Sequence, residues 1–198
     1  LPKGVMIEHF SLINRLFWMS THTSVNSDDI VLHKTPFYFD VSVWEILLPI
    51  LFGAREIILS KRQHSIPSEI LSAIRDYRVN VIHFVPSMLE AFLSFYKTEN
   101  ISFDELKFVS LYLSGEQLTT KLGIKSKEYF NHVFNLYGPT EACIDVTYFD
   151  TLEVSQDRSV IPIGASIANI SLYVLDRFNK ICPINIQGQL CIAGDGLA

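Results

Sequence analysis

Short apolar runs alternate with helical segments along most of the chain, and this alternation restricts the fold more than any other feature. The runs "DIVLHK", "REIIL", "NVIHFV", "LKFVSLYL" and "VFNLY" are rich in β-branched and aromatic residues and predict strands. Segments with apolar residues at helical spacing lie between them, as in "PSEILSAIRDYR" and "PSMLEAFLSFY", each with a proline at its start. This βαβ rhythm predicts an α/β fold with a largely parallel sheet flanked by helices.

The pattern changes after Asp150. The runs "SLYVLD" and "GQLCIAG" predict strands separated by polar turns, with no strong helical pattern between them. We therefore expect a core α/β lobe over residues 1–150 and a β-rich segment of the same domain, truncated, over residues 151–198.

The charge of the chain argues against a polyanionic partner. The formal net charge is -5, and the 16 basic residues are scattered along 198 positions. A nucleic-acid-binding surface requires clustered basic residues. We therefore expect no nucleic acid partner.

Cysteine spacing and the start of the chain bear on the cellular compartment. Cys143, Cys182 and Cys191 lack the paired spacing of a zinc site or a redox dithiol, which favours free thiols in a reducing cytoplasm. Charged residues interrupt the apolar stretch at the start, so neither a signal peptide nor a membrane span is predicted. Because the chain begins without Met and stops in the glycine-rich "GDGLA", we expect a fragment of a longer protein.

The turn "NLYGPTE" follows a predicted strand, where ligands bind in α/β sheets. Gly138 allows a close approach of the backbone to a ligand, Pro139 stiffens the turn, Thr140 offers a hydroxyl, and Glu141 offers a hard oxygen ligand. These groups suit a phosphate with its Mg²⁺. A plain strand-to-helix turn with Thr140 as the N-cap is the alternative that this segment alone leaves open.

Four further stretches share the chain with this turn: "LPKGVMIEH", "FYFDVSVWE", "YLSGEQL" and "GQLCIAGDGLA". In this order the five motifs resemble the adenylate-forming enzymes, specifically the amino-acid-activating adenylation domains of nonribosomal peptide synthetases. The resemblance covers essentially the whole chain. It departs from the family pattern at Ser114-Gly115-Glu116, where a second glycine is common, and at Gln189, where glutamate is usual.

The resemblance implies an ATP site in residues 1–150. Tyr137 would stack on adenine, while Asn135 and the backbone of Gly115 and Glu116 would line the adenine pocket. Near the phosphates the implied residues are Gly138, Thr140 at the α-phosphate, Glu141 holding Mg²⁺, and Lys3 closing a phosphate loop that would precede Leu1.

The implied reaction is the attack of an amino acid carboxylate on the α-phosphate of ATP, which gives an aminoacyl adenylate and pyrophosphate. Alignment and charge neutralisation suffice for such a step, so no catalytic triad is expected. The implied partners are a carrier domain, whose phosphopantetheine thiol would receive the aminoacyl group, and a condensation domain. The family's ribose-binding aspartate, hinge and C-terminal lysine would lie beyond Ala198, so residues 1–198 alone are expected to be inactive.

The same resemblance implies the amino acid pocket. Asp40 would pair with the substrate α-ammonium group. The remaining implied pocket residues are Val41, Trp44, His83, Tyr112, Ser114, Leu136, Ile144 and Asp145.

Local interpretations of three of these residues remain open. Ser42 and Glu45 could form a capping box, with Asp40 favouring the same helix start. His83 taken alone is typical of a core histidine with satisfied hydrogen bonds, and Trp44 could be part of a buried helix.

The pocket residues predict the substrate class. Five bulky side chains would leave room for only a small side chain, and His83, Ser114 and Asp145 would add polarity. Because a buried polar group without a partner costs ~1–3 kcal/mol, such a pocket should prefer a hydroxyl. The combination resembles the family's serine-type pocket and predicts L-serine as substrate.

Two other functions are alternatives. An acyl-CoA synthetase-like ligase would be expected to lack the acid at Asp40 and to have a longer, more apolar pocket. A non-catalytic nucleotide-binding relative would keep the fold without the chemistry.

Overall fold

A computed structural model describes residues 4–99, 103–151 and 159–198. The helices in these ranges are α1 His9–Thr23, α2 Val41–Phe52, α3 Pro67–Tyr77, α4 Pro86–Thr98 and α5 Thr120–Tyr129. The strands are β1 Ile30–His33, β2 Arg55–Ile58, β3 Val81–Phe84, β4 Ser110–Leu113, β5 His132–Tyr137, β6 Thr147–Asp150, β7 Ala165–Ser166, β8 Ile170–Leu175 and β9 Gln189–Gly194. Short 3₁₀ helices occupy Phe103–Leu106 and Thr140–Ala142.

Seven strands form the main sheet in the order β2-β1-β3-β4-β5-β6-β7. The pairs from β2 to β5 are parallel, and β6 and β7 join in antiparallel orientation. Pro67 and Pro86 occupy the first positions of α3 and α4, where a missing backbone N–H costs no hydrogen bond. The predicted α/β fold with a largely parallel sheet flanked by helices is confirmed.

The two faces of the sheet belong to separate apolar cores. Side chains alternate between the faces along each strand, so Leu111 and Leu113 pack with α3, α4 and α5, whereas Tyr112 packs with α1 and α2. In the same way, Ile82 belongs to the core of α3, α4 and α5, and Val81 belongs to the core of α1 and α2. The face covered by α1 and α2 is the one that holds the predicted pocket residues.

Helix α1 has apolar residues at helical spacing, but they do not all face the core. Leu16 is fully buried, whereas Phe10, Ile13 and Phe17 are exposed. Arg15 is buried on the core side, with 1% of its surface exposed. Tertiary packing against the sheet, rather than the apolar periodicity, therefore decides which side of this helix is inside.

Strands β8 and β9 form a separate antiparallel pair, as the strand pattern of the last part of the chain predicts. Strand β7 pairs with β6, so the main sheet extends past residue 150. The division of the domain into residues 1–150 and 151–198 stays a prediction. Within the described ranges, no helix is both long enough and apolar enough to cross a lipid bilayer.

Candidate functional site

The sheet geometry brings the predicted pocket residues of three neighbouring strands together. His83 is in register with Tyr112, which is in register with Phe134, and Leu136 lies two residues further along β5. Residues two apart in a strand share a face, so His83, Tyr112, Ser114 and Leu136 lie on the α1/α2 side. Helix α2 supplies Trp44, whose ring centroid is 6.4 Å from that of His83 and 5.7 Å from that of Tyr112.

Burial is nearly complete across the predicted pocket. Asp40 is half-buried just before α2. The buried members are Val41, Trp44, His83, Tyr112, Ser114, Leu136, Ile144 and Asp145. A ligand entering here would meet a dry environment in which polar contacts have large energies.

His83 and Ser114 are partners of one another. The His83 Nε2 atom lies 2.9 Å from the Ser114 hydroxyl oxygen. Burial, with smaller contributions from Lys34 and Arg15, lowers the pKa of His83 well below its usual value, so the ring is neutral. The His83 Nδ1 atom is buried without a hydrogen-bond partner among the described residues. One ring nitrogen is therefore available for a further contact.

Asp145 is paired by a residue that the sequence reasoning missed. The Arg15 Nη2 atom donates to Asp145 Oδ2 over 2.7 Å, and the two side chains are 1% and 2% exposed. Burial raises the pKa of Asp145, and the nearby guanidinium opposes this shift. His83, Ser114 and Asp145 thus each have one protein partner, and the preference of these groups for a substrate hydroxyl stays a prediction.

A hydrogen bond between Asp40 and Thr140 connects the residues implied for the amino acid with those implied for the nucleotide. The Thr140 hydroxyl donates to Asp40 Oδ2 over 2.6 Å, although 100 residues separate them in sequence. Thr140 is not an N-cap, since Pro139 holds that position without a side-chain bond. The side chains implied for the substrate ammonium group and for the α-phosphate are therefore direct neighbours.

The capping box that Ser42 and Glu45 could form, which the sequence left open, is not present. The Ser42 hydroxyl donates to the Phe39 carbonyl, and no side chain caps α2. Glu45 instead turns inward, where it accepts bonds from the Lys34 and Thr35 backbone N–H groups at 3.2 and 2.9 Å and from the Thr35 hydroxyl at 2.7 Å. Glu45 thereby ties the chain after β1 to α2, which fixes the segment that ends at Asp40.

A cleft of about 490 Å³ opens beside β5. Gly115, Glu116, Asn135, Tyr137 and Gly138, all implied for the nucleotide, are among its lining residues. Tyr137 is 39% exposed and therefore accessible to a ligand in the cleft.

Two polar side chains of this cleft have structural partners. The Asn135 amide nitrogen donates to the Pro162 carbonyl over 2.8 Å. The Glu116 carboxylate accepts from the Ser87 backbone N–H at 2.9 Å and from its hydroxyl at 2.8 Å, at the start of α4. The backbone of Gly115 and Glu116 is thus held against the cleft by a helix terminus.

A second cavity, of about 360 Å³, lies next to the Asp40–Thr140 bond. Its lining includes both residues together with Ile144 and Cys143. Cys143 and Ile144 adopt left-handed backbone conformations, with φ of 58° and 77°. Such angles are strained for residues with a side chain, which indicates that the surrounding structure enforces this loop.

Gly138 is required for a reason other than the predicted one. A Cβ atom at this position would lie 2.5 Å from both Asp145 Cα and the Ile144 carbonyl oxygen. The observed close approach is to the protein's own backbone, and Gly138 also lines the cleft of about 490 Å³, so its predicted approach to a ligand stays a prediction.

The phosphate side of the site fits a metal held jointly by protein and ligand. Glu141 is exposed, and the described residues contain no group of three His, Cys, Asp or Glu side chains able to hold a metal ion. Mg²⁺ keeps several water or phosphate ligands and needs few carboxylates, so Glu141 fits such an ion. Lys3 lies outside the described residues.

A largely parallel sheet whose strand-end loops line two cavities has the architecture in which α/β proteins bind ligands. The family model described as AMP-binding enzyme matches residues 1–198, and the chain belongs to that family.

The chain is also similar to parts of large peptide synthetases. It is 43% identical to vanchrobactin synthetase VabF of Vibrio anguillarum over 204 aligned residues, which cover 100% of this chain and 7% of that protein. Among solved structures, the four-domain nonribosomal peptide synthetase AB3403 bound to AMP and glycine matches with a TM-score of 0.87 and 27% identity, over 99% of this chain and 14% of that one. The synthetase FmoA3 in its α-methyl-L-serine-AMP-bound form matches with a TM-score of 0.91 and 25% identity, over 100% of this chain and 22% of that one.

Proposed function

We propose that the protein activates an amino acid by adenylation, as part of a nonribosomal peptide synthetase. A carboxylate oxygen of the amino acid attacks the α-phosphorus of ATP, and the bond to the bridging oxygen breaks. Pyrophosphate leaves with the electron pair, and aminoacyl-AMP remains. Family membership and the similarity to synthetases whose structures contain AMP with glycine, or an aminoacyl-AMP, support this reaction class.

The observation on which the proposal depends is the 2.6 Å bond between Thr140 and Asp40. Asp40 binds the substrate ammonium group, and Thr140 binds the α-phosphate. The attacking carboxylate oxygen of an α-amino acid is three bonds from its ammonium nitrogen, so the two binding groups must be neighbours. Holding the reactants in this way removes much of the entropic barrier of a bimolecular step.

The nucleotide occupies the cleft of about 490 Å³. Tyr137 stacks on the adenine ring, and Asn135 with the backbone of Gly115 and Glu116 lines the adenine site. Glu141 holds Mg²⁺, which neutralises charge on the phosphate oxygens. Lys3 contributes a further positive charge near the phosphates.

L-serine is the proposed substrate. Val41, Trp44 and Leu136 restrict the volume, while the unpartnered Nδ1 atom of His83 offers a polar contact for a small hydroxyl side chain. The His83–Ser114 bond keeps the imidazole orientation fixed. A site with a polar group of this kind rejects an analogue that lacks the hydroxyl.

The activated aminoacyl group then passes to the phosphopantetheine thiol of a carrier domain, with a condensation domain acting downstream. The similarity to a four-domain nonribosomal peptide synthetase supports partners of this kind. The reducing cytoplasm expected from the cysteine pattern is the proposed location.

Amino-acid-dependent exchange of labelled pyrophosphate into ATP tests the proposal on the full-length protein, with a panel of the common amino acids. We expect the fastest exchange with L-serine. Asp40→Asn should reduce kcat/KM for serine about 10–100-fold, because the contact with the ammonium group loses its charge. Asp76→Asn on the exposed side of α3 is the matched control and should not change it.

Three outcomes would contradict parts of the proposal. No exchange with any amino acid would refute adenylation of amino acids, and exchange stimulated by fatty acids alone would favour an acyl ligase. An optimum on a large aromatic or basic amino acid would refute the serine assignment while leaving adenylation intact.

A further inference from the structure

The buried ion pair between Arg15 and Asp145 connects α1 with the loop after the 3₁₀ helix Thr140–Ala142. The residues are 130 positions apart, and their side chains are almost inaccessible to water. Arg15 is therefore a constituent of the predicted pocket region, although no sequence motif includes it.

Only one of the three guanidinium nitrogens of Arg15 donates a hydrogen bond to a described residue. Its Nη2 atom donates to Asp145, whereas Nε and Nη1 are buried without hydrogen-bond partners among the described residues. The group lies over the ring of Trp18, with 5.1 Å between Cζ and the ring centroid. Burial lowers the pKa of His83 and the positive charge of Arg15 adds to that shift, whereas burial raises the pKa of Tyr112 and the charge of Arg15 opposes that shift.

Without Arg15, Asp145 would be a buried carboxylate with no cation acting on it from among the described residues. The described neighbour that also acts on it electrostatically is Asp40, which carries the same sign of charge. An isolated buried charge is costly, and it is relieved either by uptake of a proton or by pairing with a counter-ion. In a binding pocket, a cationic ligand side chain supplies such a counter-ion.

We propose that Arg15 determines the charge class of the accepted amino acid side chain: by neutralising Asp145 it makes the pocket select a neutral hydroxyl side chain over a cationic one. This inference rests on the proposed amino acid activation. Arg15 is a positioning residue in this scheme, since it acts through Asp145 and makes no contact with the reacting atoms.

Removing either residue of the pair should create a new preference for the charge of the amino acid side chain. In Arg15→Met, Asp145 would attract a side-chain ammonium group. In Asp145→Asn, Arg15 would attract a side-chain carboxylate. If the pair had a purely structural role, its removal would weaken the binding of all amino acids alike. A change in the relative preference for one amino acid over another requires that the charge acts on the ligand.

The test compares L-serine with L-2,3-diaminopropionate, which has an amine in place of the serine hydroxyl. Pyrophosphate exchange and calorimetric binding of the amino acids without ATP are measured on the full-length protein at pH 7. We expect Arg15→Met to lower the serine-to-diaminopropionate ratio of kcat/KM by on the order of 100-fold, the scale of one buried charge contact. Arg75→Met removes an exposed Arg–Glu pair, with side chains 44% and 41% exposed, and should leave the ratio unchanged.

Asp145→Asn provides an independent test if Arg15→Met does not fold. It should raise the preference for L-aspartate over L-serine by a comparable factor. Unchanged ratios in a folded variant would overturn the role of Arg15 while leaving amino acid activation intact, provided that the unmodified protein responds to an amino acid. If the unmodified protein neither binds nor activates any amino acid, the proposed function fails and this inference fails with it.

Discussion

Replacing Lys34 with methionine should remove a pH dependence of stability that a single buried ammonium group causes. Lys34 follows β1 and is 5% exposed. Its Nζ atom lies 3.5 Å from the Met88 sulfur and 4.6 Å from the centroid of the Phe84 ring. Burial lowers the pKa of Lys34 from 10.5 to about 8, and the attraction of Glu45 offsets only part of this shift.

The size and sign of the effect follow from these two pKa values. Between pH 8 and 10.5 the unfolded chain keeps its proton at Lys34 and the folded protein releases it, so unfolding takes up a proton. The free energy of unfolding therefore rises with pH across this window, by up to about 3 kcal/mol. Below pH 8 both states are charged and the full cost of burying the ammonium group is present.

Urea unfolding at pH 8 and at pH 10 measures the effect, with tryptophan fluorescence as the signal. Lys121→Met, at an exposed position of α5, is the matched control. Burial also raises the pKa of Cys143 and Tyr112, which lowers stability as the pH rises. Both groups are present in the unmodified protein and in the two variants, so their contributions cancel when the changes in stability are compared.

The expected result is that the Lys34→Met variant gains less stability than the control between the two pH values, by a large part of those 3 kcal/mol. Equal changes in the two variants would refute the reasoning, because they would show that Lys34 titrates alike in the folded and unfolded states.

Three further predictions concern the site. Glu141→Ala should abolish Mg²⁺-dependent adenylate formation with an unchanged circular dichroism spectrum, and wild-type exchange rates would disprove the metal role. His83→Leu should narrow the serine-to-alanine ratio of kcat/KM, since the free Nδ1 atom is lost; an unchanged ratio would rule out a contact with the substrate hydroxyl. Gly138→Ala should cost roughly 1–3 kcal/mol of stability because its Cβ would overlap the Ile144 carbonyl, and a melting temperature equal to wild type would contradict this.

The fold could be predicted from the sequence because its signals are local. Prolines mark the starts of α3 and α4, and short β-branched runs mark β1 to β5. The order of these elements then implies a parallel sheet without any long-range information. Which side of α1 faces the sheet was not predictable, because Phe10 and Phe17 satisfy the helical pattern and are nevertheless exposed.

The site was predictable only as a set of motifs. Sequence order gives Asp40 and Thr140 separately, but their hydrogen bond depends on how β1 and β5 are arranged in the sheet. The Arg15–Asp145 pair leaves no local signal either, since an arginine within an amphipathic helix usually faces solvent. The spacing of Glu45 from Ser42 left a capping box open, whereas the backbone N–H groups that Glu45 accepts from belong to Lys34 and Thr35, about ten residues earlier in the chain.

The left-handed backbone at Cys143 and Ile144 affects how this protein can change over evolution. This conformation is unfavourable by roughly 1–2 kcal/mol for a residue with a side chain, whereas glycine adopts it with almost no strain. Exchanging Ile144 for glycine would lose the burial of an isoleucine side chain but recover that strain, whereas the same exchange at Ile82, in the middle of β3, would recover none. The wall of the cavity beside Asp40 can therefore change its size at a lower cost in stability than the neighbouring core, so the shape of this cavity can vary while the fold persists.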